Sequence, residues 1–121
     1  MLYKDTIGDR YMARDAMLNL TITKTLKEVL YATAKENRRR IGDFVDLILF
    51  DAIKRYENDP VEFYTAEHYT DFYNKENVNF RCESKLKEML LEYSKRDTGS
   101  DMSVAFQMIA ANFLSEKRCQ N

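Results

Sequence analysis

The stretch Leu18-Asn-Leu-Thr-Ile-Thr-Lys-Thr-Leu-Lys-Glu28 decides the fold, because it returns as Val78-Asn-Phe-Arg-Cys-Glu-Ser-Lys-Leu-Lys-Glu88 with apolar residues on apolar ones. Asn19 meets Asn79, and the two Leu-Lys-Glu triplets coincide. Self-similarity at a fixed spacing marks one structural unit used twice. In the first copy Leu18, Leu20 and Ile22 alternate with Asn19, Thr21 and Thr23, the period-two pattern of a strand with one buried face. The second copy turns Val78, Phe80 and Cys82 inward, and Asn79 and Arg81 outward.

Each strand runs into helical periodicity. Thr25 and Ser84 are the expected caps of helices whose apolar stripes are Leu26, Val29, Leu30 and Thr33, and Leu86, Met89, Leu90 and Tyr93. Further on, Ile41-Gly-Asp-Phe-Val-Asp46 lies on Thr98-Gly-Ser-Asp-Met-Ser103, which predicts a turn three residues shorter in the second copy. Gly42-Asp43 and Gly99-Ser100 are the expected starts of two last helices that are apolar over most of their circumference, as innermost helices should be. Between the copies, Asp59-Pro60 and Glu62 form a helix-start signature, followed by Phe63, Ala66, Tyr69 and Phe72 or Tyr73 at helical spacing. The chain thus divides into a first unit with an N-terminal arm (1–57), an acidic aromatic connector helix (58–77), and a second unit with a C-terminal tail (78–121).

A unit of about 40 residues has too small a core to stand alone, and a single strand leaves its ladder groups without partners. The two copies therefore pair as an antiparallel ribbon over a four-helix core, giving a pseudo-dimeric monomer, or each strand pairs with its equivalent in a homodimer.

This order of elements, with Leu20-Thr-Ile-Thr-Lys-Thr-Leu-Lys-Glu28 leading to Ile41-Gly-Asp-Phe-Val-Asp46 and to Ala52-Ile-Lys-Arg-Tyr56, resembles the MetJ/Arc-type ribbon-helix-helix family of DNA-binding proteins. The resemblance covers residues 17–57 well and 78–114 less well. It implies a mainly α fold of two tandem ribbon-helix-helix units joined by the connector helix, with the ribbon entering the major groove of double-stranded DNA. Carried across, the base-contacting residues are Asn19, Thr21, Thr23, Asn79 and Arg81; Asn suits an adenine edge and Arg a guanine edge. The family also anchors phosphate at the start of its second helix, a place taken here by Gly42, Gly99 and Ser100, with Arg38, Arg39 and Arg40 just upstream. Asp43 and Glu83 depart from the pattern, the first as a competitor for the same amides, the second as an unequal counterpart of Thr23. The implied role is that of a transcriptional repressor or an accessory DNA-binding protein of a plasmid or other mobile element.

Composition bounds the alternatives. The 121 residues are 45% hydrophobic and carry a net charge of −1. Residues 1–57 hold 11 basic against 9 acidic residues, 58–77 hold 1 against 5, and 78–121 hold 7 against 6, so acidity concentrates in the connector. Near-neutrality favours a second reading, a protein-interaction module of antitoxin or inhibitor type that engages a protein partner through the connector. No apolar run suggests a membrane span, and Cys82 and Cys119 read as reduced thiols of a cytoplasmic protein. No phosphate loop, nucleophile elbow or metal-ligand spacing is present, and His68 reads as a packing residue; no catalytic residue, metal or cofactor is expected.

Overall fold

The computed structural model describes residues 15–60, 74–99 and 101–120. The order is β1 (Ala16–Thr23), α1 (Lys24–Glu36), α2 (Ile41–Tyr56), β2 (Lys75–Cys82), α3 (Ser84–Asp97) and α4 (Met102–Gln120). The molecule is mainly helical, with one two-stranded antiparallel sheet, β1 against β2 of the same chain. The connector residues 61–73, on which the helix was expected, lie outside the described residues. β2 begins at Lys75, so Lys75–Asn77 belong to the ribbon, not to the connector.

The register pairs Asn19 with Asn79. These are also the residues that the repeat superimposes, so an internal pseudo-dyad passes between them and relates Met17 to Asn77 and Thr21 to Arg81. Strand alternation buries Leu18, Leu20, Ile22, Val78, Phe80 and Cys82, all at most 4% exposed. Beneath them Leu26, Leu30, Leu86 and Leu90 meet the inner helices through Phe44, Val45, Ile48, Leu49, Phe106, Ile109 and Ala110, in one continuous core shared by both copies. Phe80 and Phe106 pack ring to ring at 5.9 Å, and Phe44 meets Phe113 edge-on at the same distance.

The equivalence of the two copies differs downstream from the sequence expectation. α1 has 13 residues and α3 has 14. The spacing of 60 that relates the strands therefore becomes 61 at the inner helices, where Phe44–Leu49 and Ala105–Ala110 show the same burial pattern. The second copy is one residue longer, not three shorter. Gly42 consequently matches Ser103, and Gly99 matches Arg38. Gly42 and Gly99 therefore occupy different places in their turns and do not mark a common register.

Arg96, near the end of α3, ties the copies together at the far end of α2. Its guanidinium donates to the carbonyls of Tyr56 at 2.9 Å and Asp59 at 3.0 Å, and stacks over the Tyr93 ring at 4.6 Å. The last carbonyls of a helix have no partner within it, so a planar multi-donor group at that end satisfies several at once. Arg96→Ala is expected to lower stability by about 1–2 kcal/mol, and Arg96→Lys to recover little of it because a point charge lacks the fork. Urea unfolding followed by circular dichroism measures both.

Candidate nucleic-acid interface

The ribbon buries one face and bares the other. Exposed on β1 are Met17, Asn19 and Thr21; exposed on β2 are Lys75, Asn77, Asn79 and Arg81. Across the ribbon Met17 faces Arg81, Asn19 faces Asn79, and Thr21 faces Asn77. No carboxylate lies among these strand residues; Asp15, exposed just before β1, accepts a hydrogen bond from Ser84 Oγ at 3.0 Å. The acid nearest in sequence, Glu76, is half-buried on the other side, where Lys27 of α1 holds it at 2.8 Å and keeps its carboxyl below the usual range.

The helices set the geometry of the strand edge. The backbone N–H of Thr21 donates to Ser103 Oγ at 2.9 Å, and that of Thr23 to Gln107 Oε1 at 3.0 Å. Both residues come from the first turns of α4, so those turns lie along the outer edge of β1 and satisfy N–H groups that the ladder does not use. Because Thr21 directs its N–H away from β2, Thr21–Asn77 and, two residues along, Asn19–Asn79 are non-hydrogen-bonded pairs, the kind that brings opposite side chains closest. The Thr21 hydroxyl accordingly donates to Asn77 Oδ1 at 2.8 Å, which leaves the Asn77 amide group to donate outward.

Thr23 does not belong to this face. It is 2% exposed, and its Oγ accepts the Leu26 N–H, capping α1. Alternation fails at that point because the backbone is already turning into the helix. The expected cap, Thr25, lies within α1, and Ser84 within α3 after the cap position Glu83. Glu83 is therefore the counterpart of a cap residue, and no longer disturbs the symmetry of the outward face. Thr23→Ala is expected to cost about 1 kcal/mol of stability through loss of this cap, read as a shift of the thermal unfolding curve. Lys75, Asn77 and Met17 are outward residues that the sequence reading passed over; extending the alternation two steps back from Asn79 and one from Asn19 reveals them.

The turns before the inner helices differ. In the first, Arg38, Arg39 and Arg40 are all exposed beside Lys35. Together with the exposed ring of Tyr31 and with Ile41 they line a shallow cleft of about 550 Å³. α1 ends in a Schellman turn: the Arg38 N–H donates to the Lys35 carbonyl and the Arg39 N–H to that of Ala34. Its left-handed residue is Arg38 at φ 56°. Glycine is usual there, and a side chain costs about 1–2 kcal/mol. In the second copy that place is taken by Gly99 at φ 69°. The Asp101 carboxylate accepts the Val104 N–H and caps α4. Gly42 is half-buried in the first turn of α2 with Asp43 as its neighbour, and Ser100 lies outside the described residues. Phosphate anchoring by helix N-termini, expected at Gly42, Gly99 and Ser100, thus meets a carboxylate at both inner helices. Arg38, Arg39 and Arg40 form an exposed cationic group at the turn before α2.

No described helix is long and apolar enough to cross a membrane. Comparison of the chain with protein-family models, with curated proteins and with solved structures finds no match.

Proposed function

We propose that the protein binds double-stranded DNA through the bare face of its ribbon, using the tandem ribbon-helix-helix arrangement that the sequence resembles. The observation that carries this reading is the outward face itself. In a chain of net charge −1, seven exposed strand positions present three Asn, one Thr, one Met, one Lys, one Arg and no acid. A two-stranded ribbon fits the major groove, and these side chains offer the donors and acceptors that distinguish base edges there. Asn19, Asn77 and Asn79 suit adenine, Arg81 suits guanine, and the Thr21 methyl suits thymine. Lys75 and the Arg38–Arg40 turn neutralise phosphates. Thr23 keeps its structural task and takes no part in readout. A repressor or a mobile-element accessory protein is the role this activity would serve.

The near-neutral charge and the acids at both inner-helix starts favour the second reading, a protein-interaction module working through the connector. A titration of labelled duplex with the full chain separates the two. DNA binding predicts an affinity that falls steeply between about 50 mM and about 200 mM salt, in proportion to the phosphates neutralised. Retention of no duplex at the lower salt overturns the reading.

A further inference from the structure

The pseudo-dyad between Asn19 and Asn79 makes the two halves of the ribbon directly comparable, and they are chemically unlike. Related positions are separated by 60, so β1 presents Met17, Asn19 and Thr21, and β2 presents Asn77, Asn79 and Arg81 at the equivalent places. Only the central asparagines agree. Because Met17 faces Arg81 and Thr21 faces Asn77, one end of the ribbon shows a thioether and a guanidinium where the other shows an amide and a hydroxyl.

The flanks are unlike in the same sense. The hydrogen bonds from Thr21 and Thr23 fix α4 along the edge of β1, and α2 packs against β2 correspondingly. The turn before α2 thus borders the β2 side and the turn before α4 the β1 side. On the β2 side residues 34–40 hold Lys35, Arg38, Arg39 and Arg40 against Glu36, a balance of +3, with Asp43 following in the first turn of α2. On the β1 side Lys95 and Arg96 are matched by Asp97 and Asp101, a balance of zero, and Arg96 is engaged with Asp97 and the end of α2. The end of the ribbon that carries Arg81 is therefore also the end with the more basic flank. Arg38 holds its charge there in a backbone conformation that favours glycine, which its counterpart Gly99 has. A non-glycine residue kept in that region points to a use for its side chain.

Resting on the DNA-binding reading above, we propose that the target is a non-palindromic duplex bound in one orientation: Arg81, Met17 and the Arg38–Arg40 turn meet one half-site, and Thr21 and Asn77, with Lys75 as the phosphate contact, meet the other. A symmetric ribbon reads both half-sites alike and selects a palindrome; this one has an end with a guanidinium, a thioether and an arginine-rich flank, and an end with a hydroxyl, an amide and a single lysine.

Selection of bound sites from a random duplex library, followed by tethered cleavage, tests this. The full chain carries Cys119→Ser and Arg39→Cys, the new thiol bearing an iron-chelate cleavage reagent; Cys82 is buried and does not react. The expected result is a selected site without two-fold symmetry, cut on one side of its centre only. A palindromic site, or equal cutting on both sides, overturns the orientation proposal while leaving DNA binding intact. Selection of no duplex overturns both. A second selection uses Met17→Asn with Thr21→Arg, which makes the outward faces of the two strands Asn-Asn-Arg alike. The selected site is expected to move toward a palindrome, and an unchanged site would contradict the assignment of asymmetry to these positions.

Discussion

Replacing Arg81 by alanine is expected to weaken binding of the selected duplex by about five- to 150-fold, the range of one bidentate base contact at 1–3 kcal/mol. Arg81 is exposed at the outer end of β2 opposite Met17, so the folded state loses little with it. Thermal unfolding should shift by no more than about 0.5 kcal/mol allows, as for other exposed positions free of special contacts. The loss should also be selective. At the base pair that Arg81 reads, the variant should accept substitutions that the native chain rejects, whereas Arg39→Ala should weaken all duplexes alike and flatten the salt dependence by about one phosphate. Anisotropy titrations against the selected site and single-base variants provide both readings. An Arg81→Ala variant that binds as tightly as the native chain would remove the ribbon from the interface.

The largest stability effect is expected at Phe106. Its side chain is fully buried in the core that both copies share and packs on Phe80 beneath the strands. Phe106→Ala removes a ring from a core whose walls come from two strands and two inner helices, which cannot all close on the space left. The expected cost is about 3–5 kcal/mol, a large part of the roughly 5–15 kcal/mol that holds a domain of this kind together. A fall in the urea midpoint by at least about 1 M, with unchanged slope, is the measurement that checks it. Because the core is single, both copies should unfold together. A loss below about 1 kcal/mol, or one copy unfolding ahead of the other, would contradict the shared core.

The repeat and its strands were legible because burial writes a period of two into Leu18, Leu20 and Ile22 and into Val78, Phe80 and Cys82, and no other structure satisfies that pattern as well. The inner helices were legible for the opposite reason: Phe44–Ala52 and Ala105–Leu114 are apolar nearly all round because protein surrounds them. Positions where backbone geometry, and not burial, assigns the role were harder to read. Thr23 continues the alternation in sequence, but the chain turns there, and a hydroxyl one residue before a helix finds an amide instead of solvent. Lys75 and Asn77 were hidden because the polar, acidic composition of 58–77 continues without a break into β2. The change of spacing from 60 to 61 was hidden because one residue added near the end of α3 leaves no mark in composition. Arg96 carries no local signal at all: its partners are carbonyls 37 to 40 residues away in the chain. Of the candidate site, the two central asparagines, Thr21 and Arg81 could be read from alternation alone, while the contrast between Arg38 and Gly99 required the backbone angles.

The most direct test of the ribbon as the reading surface is a nuclear magnetic resonance titration of the full chain with its selected duplex, following side-chain amide and guanidinium protons. Binding through the bare face predicts that the Asn19, Asn77 and Asn79 side-chain amides and the Arg81 guanidinium shift together and saturate at one duplex per chain, while Asn112, buried against Tyr56, stays in place. Unmoved asparagine signals at saturation, with the changes falling in residues 61–73 instead, would contradict the account.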